Sequence, residues 1–397
     1  MNHPPLKLRP REERRLRAGH LWVYSNEVDV KATPLTALEP GTTVAIQDSR
    51  GKTLGMGYVN PHSLICARLV SRNPHRDLDV GLIQDRLRVA LALRERFFAK
   101  PYYRLVYGES DGLPGLVVDR YGEVLVAQIS TLGMERHKAE ILEAIAAVVK
   151  PTAVLWRNDT PARQLEGLDP YVEDALGEVP EQVELEENGV RFRAALRAGQ
   201  KTGWYYDHRD NRARLAAWSA GRRVLDVFSY AGAWGVQAAA GGAAEVVCVD
   251  SSAGALEQVT EHAELNGVAD RVRGVEGNAF DVLRSLQGES AKFDVVVLDP
   301  PAFIKRRKDT EEGENAYRRI NQLAMQVLAQ DGLLVSASCS HHLSAGRLSQ
   351  LAHTGGRQLG RTVQIVAQGH QAADHPVHPA MPETEYLKAF FLRVVSP

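Results

Sequence analysis

The sequence predicts an α/β protein. Its C-terminal half forms an open, mostly parallel sheet, preceded by a small β-barrel and a small central α+β domain. Three observations carry this. The apolar run Val224-Leu225-Asp226-Val227 leads into a small-residue turn, Phe228 to Gly235. A second run, Val246 to Val249, ends in Asp250. Strand, glycine turn, helix, strand and acid in that order open a doubly wound sheet. Far upstream, short alternating stretches punctuated by glycine (43–48, 53–58 and 64–69) read as a barrel or sandwich.

A chain of 397 residues has room for two or three domains and a substantial core. The formal net charge is -1, which excludes a global basic field but not local basic patches. Cys66, Cys248 and Cys339 have no paired spacing, so a disulfide framework is not expected and a reducing compartment is. The first residues are too polar for a signal peptide. No run approaches the ~20 apolar residues of a membrane span. A soluble, cytoplasmic protein is the expectation, with no membrane partner.

The first twenty residues are basic, with Lys7, Arg9, Arg11, Arg14, Arg15 and Arg17, and suit either a solvated helix face or phosphates. The barrel strands follow, and Asn73-Pro74 ends them. Residues 81–100 read as a helix, with Ile83, Leu87, Ala90 and Leu91 at helical spacing. Residues 103–107 read as a strand, 116–119 and 124–129 as a hairpin around Tyr121-Gly122, 134–149 as a helix and 154–156 as a strand. The acidic stretch 181–187 is a linker or an outward strand edge, and Asn188-Gly189 starts another hairpin. The expected domains are therefore 1–72, 73–187 and 188–397.

Just before the sheet lies Gly199-Gln200-Lys201-Thr202-Gly203, followed by Asp207 and Arg209. This loop can close over a charged ligand or serve as a hinge. It lacks P-loop spacing. The turn after the first strand holds only Gly232 and Gly235, so it is no pyrophosphate cradle. The pattern Asp226-x-Phe228-x-x-x-Gly232 instead looks like the first motif of S-adenosylmethionine-dependent methyltransferases. Asp250, roughly two dozen residues on, is placed to accept hydrogen bonds from ribose hydroxyls. Asn278 and Asp281 end the third strand, where an adenine edge would lie, with Phe280 to pack on it.

Val295 to Leu298 is the fourth strand, leaving through Asp299-Pro300-Pro301-Ala302-Phe303. Two prolines stiffen the exit and give up backbone donors, leaving a carboxylate and carbonyls to grasp an amino group on a planar base. Lys305 and Arg306, in a run of four basic residues, are candidates for phosphate contacts. The fifth strand ends in Ser338-Cys339-Ser340. His341 and His342 find no further ligands at convincing spacing, so no metal is expected. A terminal loop is followed by 389–394, an apolar edge strand.

Asp299 and Cys339 on neighbouring strands permit one distinctive reaction. Carbon 5 of cytosine is a poor nucleophile, and thiolate addition at carbon 6 makes it an enamine-like carbon able to take a methyl group. Asp299 is expected to protonate or hydrogen-bond N3. A base must later remove the carbon-5 proton so that Cys339 can leave; none is assigned. The target base must be single-stranded or flipped out. The alternative is methylation of an exocyclic amine or ring nitrogen of a purine in RNA, with Cys339 dispensable.

Over essentially its whole length the chain resembles the bacterial large-subunit ribosomal RNA cytosine-5 methyltransferases. The resemblance implies an N-terminal PUA domain, a central α/β domain and a C-terminal Rossmann-like class I methyltransferase domain. It implies S-adenosyl-L-methionine as cofactor and 23S ribosomal RNA as partner. It places Lys201, Thr202, Asp207, Arg209, Asp226, Phe228, Gly232, Asp250, Asn278, Asp281 and Asp299 at the cofactor, and Pro300, Pro301, Phe303, Lys305 and Arg306 at the substrate. Cys339 is the implied nucleophile, with Asp299 assisting, and a homodimer is implied as well. The chain departs from the wider RNA cytosine-5 group in one respect. Many of those carry a second cysteine in the fourth motif, thought to help product release, where this chain has Pro300-Pro301.

Overall fold

The computed structural model describes residues 3–396. The chain divides into two units. The first comprises Met1–Val183, Ala194–Tyr206 and Ala373–Thr384; the second comprises Glu184–Arg193, Asp207–Ala372 and Glu385–Pro397.

The first unit contains two five-stranded sheets. The N-terminal one is built from Pro5–Lys7, Trp22–Tyr24, Thr43–Gln47, Thr53–Val59 and Ile65–Ser71. Alternation sends Val44 and Ile46 inward to meet Leu6, Val23 and Cys66, all fully buried. The basic N-terminal stretch is partly absorbed by ion pairs, Arg15 to Glu27 and Arg17 to Asp48. The second sheet holds Tyr102–Tyr107, Leu116–Tyr121, Val124–Ile129, Ala153–Asn158 and Tyr171–Leu176, covered by the helix Val80–Phe97. Tyr58 of the first sheet donates to Pro114 O at 2.7 Å and joins the core of the second. The single helix expected over 134–149 is two helices, Leu132–Arg136 and Lys138–Val148. They part at His137, whose backbone (φ -101°, ψ 19°) leaves the helical region.

The second unit carries a seven-stranded sheet. In chain order its elements are α1 (Arg209–Trp218), β1 (Arg223–Val227), α2 (Ala233–Ala240), β2 (Glu245–Asp250), α3 (Ala253–Leu265), β3 (Val272–Glu276), α4 (Ala279–Gly288), β4 (Phe293–Leu298), α5 (Thr310–Val327), β5 (Leu328–Ser338), α6 (Ala345–Gln358), β6 (Thr362–His370) and β7 (Lys388–Val395). The strand order is β3-β2-β1-β4-β5-β7-β6. The first five strands are parallel, and β7 runs antiparallel to both β5 and β6. The order reverses between β1 and β4, and ligands bind at such a switch point, outside the carboxyl ends of the strands. Strands β1, β2 and β4 are near-continuous apolar runs because helices cover both faces.

One expectation needs correcting. The apolar segment expected as an edge strand is β7, and it lies inside the sheet between β5 and β6. Phe390, Phe391 and Leu392 are all buried, as a strand covered on both faces requires. The true edge is β6, which is largely exposed. Its apolar residues Val363, Ile365 and Val366 break the strand alternation, which hides it in the sequence.

Candidate functional site

The turn after β1 is strained. Phe228 (φ 65°) and Tyr230 (φ 47°) both occupy the left-handed region, as does Gly232 (φ 76°). An aromatic residue there costs of order 1–2 kcal/mol and persists only where surroundings enforce it. Ser229 N donates to Val249 O at 3.0 Å, tying the turn to β2, and Tyr230 N donates to Asp250 Oδ2 at 2.8 Å. His262 of α3 buttresses the turn from behind. It bridges Ala231 O (2.8 Å from Nδ1) and Arg193 N (2.9 Å from Nε2), which puts its proton on Nδ1. Burial holds its pKa below the usual imidazole value, consistent with that neutral form.

Asp226 is fully buried, and its Oδ2 accepts from Gly235 N at 2.9 Å. Its Oδ1 and the Ser229 hydroxyl are buried and have no hydrogen-bond partner among the described residues. Two orphaned polar atoms beside a strained turn fit a ligand that brings donors. Burial, then the nearby charges of Asp299 and Asp250, push the Asp226 carboxyl up to about 7, against the Gly235 N–H and Arg212. Three carboxylates converging at one sheet edge suit a cationic ligand.

Asp299 leaves β4 at the switch point. Trp234 Nε1–H donates to its Oδ2 at 3.0 Å. His208 Nε2 lies 3.2 Å from its Oδ1, close but not aligned as a hydrogen bond. Burial pushes the Asp299 carboxyl up, but His208 and Trp234 outweigh it and hold the group below the usual carboxylate range. The side chain is still 24% exposed, so a ligand can reach it. An ionised Asp299 accepts hydrogen bonds and has no proton to give N3, which alters the role expected above.

Cys339, half-buried, follows β5. Because β4 and β5 are parallel neighbours (Leu298 opposite Ser336), Asp299 and Cys339 leave at the same edge. The cysteine's neighbours are tightly held. Tyr317 Oη of α5 lies 2.8 Å from Ser338 Oγ and 2.9 Å from Ser340 Oγ. Ser340 N donates to Ser338 Oγ at 3.1 Å. Phe303 stacks against Tyr317 (centroids 4.8 Å apart) and meets Phe228 and Phe280, each at 6.2 Å. One aromatic cluster thus runs from the strained turn to the cysteine's supports.

The remaining expected residues fall as follows. Asp207 is buried and accepts from Tyr386 Oη at 2.5 Å. Arg209 is buried 3.7 Å from Glu187, which also pairs with Arg212 at 2.6 Å. Lys201 and Thr202 belong to the first unit. There Lys201 Nζ sits over the Tyr205 ring at 4.0 Å, and Thr202 donates to Asp119. Asn278 caps α4, accepting from Phe280 N at 2.9 Å. Asp281 is exposed and pairs with Arg284. Pro300 is buried and Pro301 exposed. Lys305 is exposed, as is Arg306, which pairs with Asp309 at 3.0 Å. Among the described residues no cluster of His, Cys, Asp and Glu could hold a metal ion. No described helix is long and apolar enough to cross a membrane.

Sequence reasoning missed His208, Trp234, Tyr317, His262 and Lys388. Trp234 alone carried a signal, being part of the glycine turn.

Comparison with known proteins agrees with this geometry. Residues 160–358 match the model of a family described as S-adenosylmethionine-dependent methyltransferase, and residues 6–72 match a PUA-like domain. The chain is 35% identical over 393 residues to the ribosomal RNA large subunit methyltransferase I of Alteromonas mediterranea, covering 98% of each. It is 36% identical over 395 residues to that of Shewanella denitrificans, covering 98% of this chain and 99% of the relative. Among solved structures, SMU.776, described as a methyltransferase complexed with SAH, superposes with a TM-score of 0.85 at 21% identity. The match covers 98% of this chain and 100% of that one, and shows the shared fold.

Proposed function

The chain belongs to the S-adenosylmethionine-dependent methyltransferases, in the family of the ribosomal RNA large subunit methyltransferase I proteins, and on that premise we propose that it methylates carbon 5 of a cytosine in 23S ribosomal RNA through a covalent adduct at Cys339. The observation that carries the reading is the shared exit of Asp299 and Cys339 from the parallel strands β4 and β5.

When bound, S-adenosylmethionine supplies an electrophilic methyl group for carbon 5. Asp226, Asp250 and the orphaned Ser229 hydroxyl are the residues we assign to holding it, with Phe228 and Gly232 shaping the turn and Asn278 at the adenine side. The Cys339 thiolate adds to carbon 6, and carbon 5 becomes nucleophilic. Asp299, held ionised, accepts from the 4-amino group and orients the ring between Pro300 and Phe303. Loss of the carbon-5 proton then expels Cys339. Lys305 and Arg306 are assigned to RNA phosphates, outside the chemistry. The same reading divides the chain into a PUA-like RNA-binding domain (1–72), a central domain (73–187) and a methyltransferase domain (188–397). It takes the protein to be a cytoplasmic homodimer.

The test is methyl transfer from labelled S-adenosylmethionine to ribosomal RNA lacking its own modifications, followed by nucleoside analysis. The expected product is 5-methylcytidine, lost in Cys339→Ala while cofactor binding survives. A methylated purine that persists in Cys339→Ala would overturn the reading in favour of amine or ring-nitrogen transfer.

A further inference from the structure

Lys388 opens β7 directly opposite Ser338, the residue before Cys339. Residues opposite each other in an antiparallel pair share a face, so Lys388 stands on the side of the sheet where Ser338 meets Tyr317. The lysine is buried, with only 8% of its surface exposed. Its Nζ donates to the carbonyl of Ser340, the residue after Cys339, at 2.5 Å. No carboxylate among the described residues lies within ion-pair distance of it. A buried ammonium without a counter-ion is costly. Two acidic groups act on it electrostatically: first the thiol of Cys339, which lies between Ser338 and Ser340, and then, more weakly, Glu385.

We infer that Lys388 is the proton partner of Cys339: its amine takes the thiol proton, and the resulting ammonium holds the thiolate ready to add to the base. The step balances within the pair, an S–H bond breaking as an N–H bond forms, with no further reactant. The same ammonium would receive the thiolate when Cys339 is expelled, so it serves nucleophile and leaving group alike. Lys388 acts through Cys339 and is a positioning residue. The functional consequence rests on the covalent reading above, whereas the pairing itself does not.

The surroundings favour a mobile proton. Burial lowers the Lys388 amine to about 8, against the opposing pull of Cys339 and Glu385. That brings the amine into the range of ordinary thiols, ~8.5. The other titratable groups around the pair are Glu385 just before β7, His370 opposite Lys388 on β6, Tyr317 on α5, and His341 and His342 after Cys339. Burial raises Tyr317 above its usual value, which keeps it a neutral donor here.

The experiment measures the pH dependence of Cys339 alkylation by iodoacetamide, read peptide by peptide by mass spectrometry, in the full-length protein. Cys66 and Cys248 are fully buried and do not compete. The wild-type midpoint should fall below that of a free cysteine. Lys388→Met should raise it and slow alkylation at pH 7 roughly tenfold, and Lys388→Arg, which restores a fixed cation, should bring it back down. Methyl transfer should follow the same order, with cofactor affinity unchanged in all three. A wild-type midpoint at or above that of free cysteine overturns the inference, and needs no folded variant. So does an unshifted midpoint in a Lys388→Met protein that still binds cofactor. Retained methyl transfer in Cys339→Ala would instead sink the covalent reading and leave the pairing standing.

Discussion

Trp234 Nε1–H donates to Asp299 Oδ2 at 3.0 Å. Trp234 is the second residue of α2, the helix that the glycine turn starts, and Asp299 directly follows β4. A single hydrogen bond therefore ties the helix after the glycine turn to the carboxylate that follows β4. Helix, turn and strand are locked in register at the switch point of the sheet.

Replacing Trp234 with Phe should keep most of the packing and remove the donor. Asp299 is held below the usual carboxylate range by His208 and Trp234 against the effect of burial. Losing one donor lets its pKa rise. The acid limb of the pH–rate profile, where Asp299 becomes protonated, should move to higher pH by about one unit, with kcat at neutral pH little changed because Asp299 stays ionised there. An unmoved acid limb would show that Trp234 only packs.

The Asp226 carboxyl shifts the opposite way, up to about 7. A raised carboxyl supplies stability that is fully present below its unfolded value of about 4 and is lost as pH climbs through about 7. Without cofactor, the wild type should therefore weaken between these limits relative to Asp226→Asn, whose amide stays neutral. Urea midpoints at pH 4, 5.5 and 8 would show the gap widening and then levelling. Saturating cofactor should narrow it, because a cationic ligand favours the ionised acid. A gap independent of pH would contradict the assignment.

Phe228 sits at φ 65° and meets Phe303 edge-on. Both Ala and Gly lose the ring, but only Gly relieves the left-handed backbone. Phe228→Gly should therefore be about 1 kcal/mol more stable than Phe228→Ala, the reverse of their order in a regular strand or helix. Thermal melts of the two variants would read this directly. Both should bind cofactor more weakly than wild type, since the turn loses its aromatic anchor. A more stable alanine variant would mean that the turn relaxes when the ring is removed.

Much of the second unit was legible in the linear sequence. Asp226, Asp250, Asp299 and Cys339 each stand at the end of an apolar run, and a parallel sheet sends such ends to one edge. The cysteine's environment was not legible. Tyr317 lies mid-helix in a pattern that reads only as packing. Lys388 lies just outside an apolar segment that looked like an edge strand. His208 precedes α1 and meets Asp299 from far along the chain.

The sequence by itself determined which residues occupy the strand ends, because strand, turn and helix signals are local and each spans a few residues. It likewise determined the glycine turn, whose left-handed Gly232 is marked by residue type, but not the left-handed Phe228 and Tyr230 within it. The tertiary structure decided what those residues can do. Inserting β7 between β5 and β6 sets Lys388 opposite Ser338 and its Nζ on the carbonyl of Ser340, the residues that flank Cys339. His208 first and Trp234 second hold the Asp299 carboxyl low, while burial near its neighbours raises that of Asp226. Charge state and proton partner depend on burial and on pairing between distant strands, and no local pattern encodes either.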